Sequence, residues 1–309
     1  MKVYFAIEQY KAGRNPIVTT GTFDGVHLGH QKVLKRLTDI AQKVHGETVV
    51  LTFHPHPRLI LFPEEKELKL LNTLEEKIEL LKKTGIDHLI IYPFTKEFSR
   101  LSSLDFVTKI LVNNIGTHKL VIGYNHHFGR NREGSFDHLK EFGHLYGFTV
   151  KEISAKDIDN IEVSSTIIRK ALLLGNIKTA NKYLGYTYFL KGIVVKGKQI
   201  GRKIGYPTAN IEVKDENKLI PADGIYAVTV NIKEKIYKAM MSIGMNPTVN
   251  GTKRTIEVHV FNFDEDIYSE NIVVSFHEKI RTEQKFDSLE DLKKQLAKDQ
   301  IRSLKVLKK

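Results

Sequence analysis

Pro16-Ile17-Val18-Thr19-Thr20-Gly21-Thr22-Phe23-Asp24-Gly25-Val26-His27-Leu28-Gly29-His30 is the stretch on which the fold turns. Residues 16–20 are β-branched after a proline and read as a strand ending at Gly21. An amphipathic helical pattern follows over 31–44, so the order is strand, tight loop, helix. In that loop the residues Gly21, Thr22, Phe23, Asp24 and Gly25 offer backbone N–H groups, and the glycines let an anion approach them closely. The helix behind the loop points the positive end of its dipole at the same spot. His27 and His30 stand at i, i+3 and share one face at a helix start. Two imidazoles there suit phosphate oxygens, each charge-assisted hydrogen bond contributing about 1.5–3 kcal/mol. No G-x-x-x-x-G-K-[ST] string is present, which argues against a P-loop enzyme.

Working outward, the same alternation recurs. Residues 48–53, 88–92, 119–122 and 149–153 read as four more strands, separated by helical patterns over 73–85, 102–116 and 136–146. Thr73-Leu74-Glu75-Glu76 is a capping box and Gly85 a helix stop. Strands alternating with helices imply an α/β fold with a parallel sheet covered on both faces, whose ligands sit at the carboxyl ends of the strands. Two helices follow over 165–174 and 177–184. Beyond residue 186 the texture changes to strands at 188–196, 224–232, 236–243, 255–261 and 272–280, with turn signals between them and no long helix. That is the pattern of an all-β antiparallel barrel or sandwich. An amphipathic helix over 289–307 closes the chain. Two abutting domains are expected, 1–185 and 186–309.

Composition narrows the class. At 309 residues, with 41% hydrophobic and 27% charged side chains, the chain is globular rather than disordered. No apolar run reaches the roughly 18 residues that cross a bilayer, and the N-terminus is too polar for a signal peptide. The absence of Cys excludes disulfides and thiolate metal sites, and a cytoplasmic protein is expected. The net charge of +12 draws polyanions without choosing between RNA and a small phosphorylated ligand.

The β-rich half has its own loop, Gly201-Arg202-Lys203-Ile204-Gly205-Tyr206-Pro207-Thr208-Ala209-Asn210. Glycines and basic residues can wrap a phosphate chain, with Gly201, Lys203 and Gly205 as candidates. Thr208 and Asn210 offer hard oxygen ligands suited to Mg²⁺. Downstream, Arg254-Thr255-Ile256-Glu257-Val258-His259-Val260 alternates as a strand, with Glu257 on the face of Thr255 and His259.

The string GTFDGVHLGH resembles the H-x-G-H signature of adenylyl- and cytidylyltransferases, in the form found in bacterial bifunctional riboflavin kinase/FAD synthetases. Three segments match in order: Thr52-Phe53-His54-Pro55-His56-Pro57, Gly123-Tyr124-Asn125-His126-His127-Phe128-Gly129 and Ser164-Ser165-Thr166-Ile167-Ile168-Arg169. The loop 201–210 resembles the G-x-x-x-G-x-P-T-A-N signature of riboflavin kinases. Segments 223–226, 245–251 and 281–286 look familial too, with Arg281 and Glu283 as candidates around flavin.

The resemblance implies a Rossmann-like nucleotidyltransferase domain followed by a Greek-key β-barrel. It implies two activities: phosphorylation of riboflavin to FMN with Glu257 as base, and transfer of AMP from ATP to FMN, giving FAD and pyrophosphate. ATP, riboflavin and FMN are the expected small-molecule partners and Mg²⁺ the cofactor. Neither nucleic acid nor membrane is expected as a partner, and the chain is expected to be a monomer or weak homo-oligomer. Ser165 and Thr166 are cap-type residues whose hydroxyls and N–H groups suit a triphosphate tail, and Arg169 reaches the same phosphates with a planar fork. Asn125 offers donor and acceptor for sugar or phosphate. Asp24 reads as structural or Mg²⁺-linked rather than as a base. His54 and His56 either touch ligand or only shape their proline loop. His126 and His127 have no acidic partner at zinc-like spacing. The competing readings are a basic RNA-binding protein with a vestigial nucleotidyltransferase half, and an enzyme retaining one activity.

Overall fold

The computed structural model describes the chain except residues 65–67, 124–128, 130–133, 154–162, 198–199, 249–250 and 309, and describes backbone alone at 200, 203, 246–248 and 251–253. The chain forms two compact units, 1–164 and 165–309.

The first unit contains β1 (Lys2–Tyr4), β2 (Ile17–Thr20), α1 (Leu28–Lys43), β3 (Thr48–His54), α2 (Pro57–Leu61), α3 (Leu74–Lys82), β4 (His88–Pro93), α4 (Ser103–Asp105), β5 (Lys119–Gly123), α5 (Phe136–Tyr146) and β6 (Thr149–Ile153). Its sheet has the order β1-β4-β3-β2-β5-β6, and every pairing is parallel. Val49, Val50 and Leu51 are fully buried in succession, as a strand covered on both faces requires. α1 buries Leu34, Leu37 and Ala41, one stripe at helical spacing. α4 continues as a π-helix through Asn114, and the Thr117 hydroxyl closes it by donating to the Leu111 carbonyl at 2.7 Å. The capping box at Thr73 and Glu76 forms as expected. α5 ends on Gly147, whose φ of 77° is left-handed.

The five strands expected in this half are present, and β1 adds a sixth by pairing Lys2–Tyr4 with His88–Ile90. Consecutive strands neighbour each other from β2 through β3 to β4, while β5 lies on the other side of β2. The strand order therefore reverses between β2 and β5. In an open parallel sheet that reversal opens a crevice at the carboxyl ends of the two strands.

The second unit contains α6 (Ser165–Leu173), α7 (Ile177–Leu184), β7 (Phe189–Val195), α8 (Ile200–Lys203), β8 (Ala209–Glu212), β9 (Gly224–Ile232), β10 (Lys235–Thr248), β11 (Gly251–Val260), β12 (Asn271–Arg281) and α9 (Leu289–Val306). Six antiparallel strands close into a barrel in the order β10-β11-β8-β7-β12-β9. Closure removes the exposed edges that a sandwich would leave. Tyr188, Tyr226 and Phe276 are fully buried in its core, the last two edge to face at 5.3 Å. The Tyr188 hydroxyl is satisfied by the Leu219 carbonyl at 2.6 Å. α7 is tied to the barrel through Asn181, whose amide donates to the Phe276 carbonyl and accepts from the Tyr188 N–H. The strand β8 lies inside what reads in sequence as a loop.

Candidate active sites

In the first unit the site grows out of β2. The Gly21 N–H makes the last ladder bond, to the Leu51 carbonyl at 3.1 Å, and the chain then turns sharply. Phe23, Gly25 and Val26 all have positive φ, at 48°, 85° and 37°. For Phe and Val that conformation costs on the order of 1–3 kcal/mol each and persists only where the surroundings fix it. Both side chains are buried, so they anchor the loop. Asp24 is 1% exposed, and its carboxylate accepts from the Leu71 N–H at 3.0 Å and the Asn72 N–H at 3.4 Å. Its side chain therefore ties the loop to the segment before α3, the structural alternative raised from sequence. Gly21 and Thr22 are partly exposed.

α1 begins at Leu28, with His27 as its N-cap: His27 Nδ1 accepts from the His30 N–H at 3.4 Å. A neutral His27 then carries its proton on Nε2. The two imidazoles stack with centroids 3.7 Å apart and planes 16° from parallel. They share one face, as their spacing suggests. His30 reaches solvent in part, yet its Nδ1 is sealed and has no hydrogen-bond partner among the described residues. Burial, then the neighbouring His27 and Lys77, holds the His30 pKa well below the usual 6.5. It is neutral at pH 7, so the charge-assisted bonds expected of it need a proton brought in by an anion.

Lys77 is the residue that the sequence reading misses. It is 5% exposed, and its ammonium donates to the Thr22 carbonyl at 2.8 Å. The available signal was helical phase: α3 buries Glu76, Lys77, Leu80 and Leu81, which puts a lysine on the buried stripe. His56 caps α2 by accepting from the Arg58 N–H at 3.2 Å, so it shapes its loop, while His54 is exposed. Asn125, with His126 and His127, falls outside the described residues. Ser165, Thr166 and Arg169 lie on α6 as expected, at the start of the second unit.

In the second unit, α8 and a tight turn bring 201–206 back on itself, with the Tyr206 N–H bonded to the Gly201 carbonyl at 2.9 Å. A Cβ on Gly201 would collide with the Tyr206 carbonyl, and Gly205 has φ 83°, so both positions call for glycine. Lys203 is described by its backbone alone. The turn delivers β8 onto β11, where Asn210 pairs with Glu257 and Ala209 with Val258. The Thr208 hydroxyl donates to Glu257 Oε2 at 3.0 Å. The threonine, asparagine and glutamate singled out from sequence therefore converge on one strand pair. Beside them lies a concavity of about 600 Å³ lined by Tyr206, Pro207, His259, Phe263 and Gln300 among others. Tyr206 meets the His259 ring edge-on at 5.2 Å, and His259 Nδ1 lies 2.7 Å from the Pro207 carbonyl. Burial lowers the His259 pKa, leaving a neutral ring suited to stacking.

Arg281, a candidate around flavin, is tied to the terminal helix. Its fork closes on the Asp299 carboxylate of α9 at 2.8–3.0 Å and on the Thr282 carbonyl at 2.9 Å. Those bonds engage all three guanidinium nitrogens. Glu283 stands over Gly244, where a Cβ would collide with its carboxylate, and burial followed by Asp223 raises its pKa.

The FAD synthetase family matches residues 9–167, and the riboflavin kinase family matches residues 184–307. The bifunctional riboflavin kinase/FMN adenylyltransferase of Buchnera aphidicola subsp. Schizaphis graminum is 40% identical over 294 residues, covering 94% of this chain and 93% of the relative. That of Escherichia coli K12 is 36% identical over 286 residues, covering 92% and 90%. A crystal structure described as a macrolide-efflux protein from Streptococcus pneumoniae superposes with a TM-score of 0.89 at 32% identity, covering 98% of each chain. Among the described residues of the present chain, no helix is long and apolar enough to cross a membrane.

Proposed function

The chain belongs to the bifunctional riboflavin kinase/FMN adenylyltransferase family, and from that premise we propose how its residues divide the two reactions. The protein is a transferase that phosphorylates riboflavin to FMN and adenylylates FMN to FAD. We assign adenylylation to residues 1–185 and phosphorylation to 186–309. The family matches, which end at 167 and begin at 184, support that division.

For adenylylation, a phosphate oxygen of FMN attacks the α-phosphorus of ATP, and pyrophosphate leaves. The nucleophile comes from the substrate, so the protein's part is to position and to stabilise charge. The backbone of Gly21, Thr22, Phe23, Asp24 and Gly25, the imidazoles of His27 and His30, and Asn125, Ser165, Thr166 and Arg169 are proposed to hold the triphosphate. The stacked, partly desolvated histidine pair at the end of β2 is the observation that supports this. An arriving phosphate would raise the His30 pKa and let the ring take a proton as charge develops.

For phosphorylation, the riboflavin 5′-hydroxyl attacks the γ-phosphorus, its proton passes to Glu257, and ADP leaves. The Thr208–Glu257 bond at 3.0 Å carries this assignment, because it sets the carboxylate beside the loop that reads as phosphate-binding. A positioned base contributes roughly 10²–10⁴ in rate. Thr208 Oγ1 still has a lone pair while donating to Glu257, and Asn210 adds an amide oxygen, so this hard oxygen set fits Mg²⁺. Thr208 and Asn210 would hold the ion, which would there neutralise phosphate charge. Gly201, Lys203 and Gly205 are proposed to follow the phosphate chain, and Arg281 and Glu283 to lie around the flavin, Arg281 while also holding α9. The basic surface serves polyphosphate substrates, in a cytoplasmic monomer or weak oligomer that needs no nucleic acid.

The test is to incubate the purified protein with ATP, Mg²⁺ and riboflavin and separate the flavins over time. FMN should appear first and FAD after it. Appearance of neither would remove the reading.

A further inference from the structure

The loop of residues 21–27 is held in a shape that its own sequence disfavours. Phe23 and Val26 are left-handed, and neither is a residue type that adopts this conformation readily. Several clamps fix it. The Val26 N–H bonds to the Phe23 carbonyl at 3.1 Å, and the Gln31 amide donates to the Val26 carbonyl at 2.8 Å. Asp24 is bound by the backbone of Leu71 and Asn72. At the entrance of the loop the Thr22 carbonyl accepts twice, from the Thr52 hydroxyl at 3.3 Å and from the Lys77 ammonium at 2.8 Å.

The last of these is physically unusual. An ammonium removed from water is disfavoured unless it is compensated, and the buried stripe of α3 would pack well with a methionine or leucine at 77. Burial draws the Lys77 pKa down, while Asp24 pulls it back toward the charged form. The charge also lies near enough to His30 to act on it. A buried cation bonded to the loop carbonyl, with the loop carboxylate and the site imidazole in electrostatic reach, points to function rather than packing.

We propose that Lys77 is a positioning residue of the adenylylation site: its ammonium fixes the Thr22 carbonyl and so holds the 21–27 loop in the shape that grips the triphosphate. The proposal rests on the reading of that loop given above. Without the clamp, ATP must first order the loop, and its apparent affinity falls by the fraction of loops already in shape.

The experiment uses the full chain and its two activities. In Lys77→Met, the KM for ATP in FAD formation should rise by about 10- to 100-fold, with the KM for FMN and riboflavin phosphorylation within about twofold of wild type. A purely structural lysine would not separate the two KM values. Unchanged KM for ATP in a folded Lys77→Met overturns the proposal. If that variant loses both activities, Thr52→Val decides, since it removes the milder donor to the same carbonyl. A rise of about threefold in the KM for ATP alone supports the proposal, and no rise overturns it. His30→Ala separates this from the underlying reading. If it still makes FAD, the site assignment itself fails. If it loses FAD formation while Lys77→Met keeps a normal KM for ATP, only the role of Lys77 fails.

Discussion

Two imidazoles stacked at 3.7 Å repel each other when both are charged, and His30 also faces Lys77 and lies in a desolvated place. The consequence for stability has a definite sign. The folded pKa of His30 is depressed, so below about 6.5 the unfolded chain binds a proton that the folded chain does not. Stability from this group is therefore present above pH 6.5 and is lost as pH falls below it. His259 and His277 act in the same direction in the second unit. Thermal unfolding followed from pH 7 to 5.5 should show a falling midpoint, with a shallower fall for the first unit in His30→Asn. An equal slope in the variant would place the acid sensitivity elsewhere. At this scale the sequence was partly legible. The pair His27 and His30 announces itself by spacing, and Glu257 by alternation. Lys77 does not, because a lysine in a capping-box helix looks solvent-facing until the phase of the buried stripe is known. The pairing of Arg281 was hidden for a related reason: its partner Asp299 is 18 residues away, on another element, and sequence gives no register between a strand and a helix that docks on it.

Elements were legible where their patterns are long and obscure where they are short. The capping box at Thr73, the glycine stop at Gly85 and the alternating strand 254–260 follow from local chemistry that tertiary packing has no reason to override. β1 has three residues and β8 four, too few for a period to show, and each exists because a neighbouring strand offers a ladder: β4 for β1, and β11 and β7 for β8. The docking of α9 is likewise a tertiary fact. Asp299 is 2% exposed and holds Arg281 by two of its nitrogens, with Gln295 adding a third donor. Removing one partner of such a pair leaves a nearly buried charge uncompensated. Asp299→Ala should destabilise the second unit by about 3–5 kcal/mol in urea unfolding, loosening α9 from the barrel. A loss below about 1 kcal/mol would mean the pair is solvent-screened and α9 is held by its apolar face alone.

At the scale of the whole molecule, the change of texture near residue 186 separates a helix-crossed parallel sheet from a closed antiparallel barrel, because the two architectures impose different periods on their sequences. The helices α6 and α7 pack with the barrel unit although α6 carries the Ser-Thr-Arg segment proposed for the nucleotidyl site. Sequence texture could not reveal this, since an amphipathic helix declares that it packs and not against what. Two loops proposed to grip phosphate, one at the reversal of a parallel sheet and one on a barrel turn, would give a single chain two separable chemistries. Glu257→Gln tests that separation most directly. Supplied with riboflavin and ATP it should form no FMN, and supplied with FMN and ATP it should form FAD at the wild-type rate. Retained phosphorylation of riboflavin, or simultaneous loss of both reactions in a folded variant, would contradict the assignment.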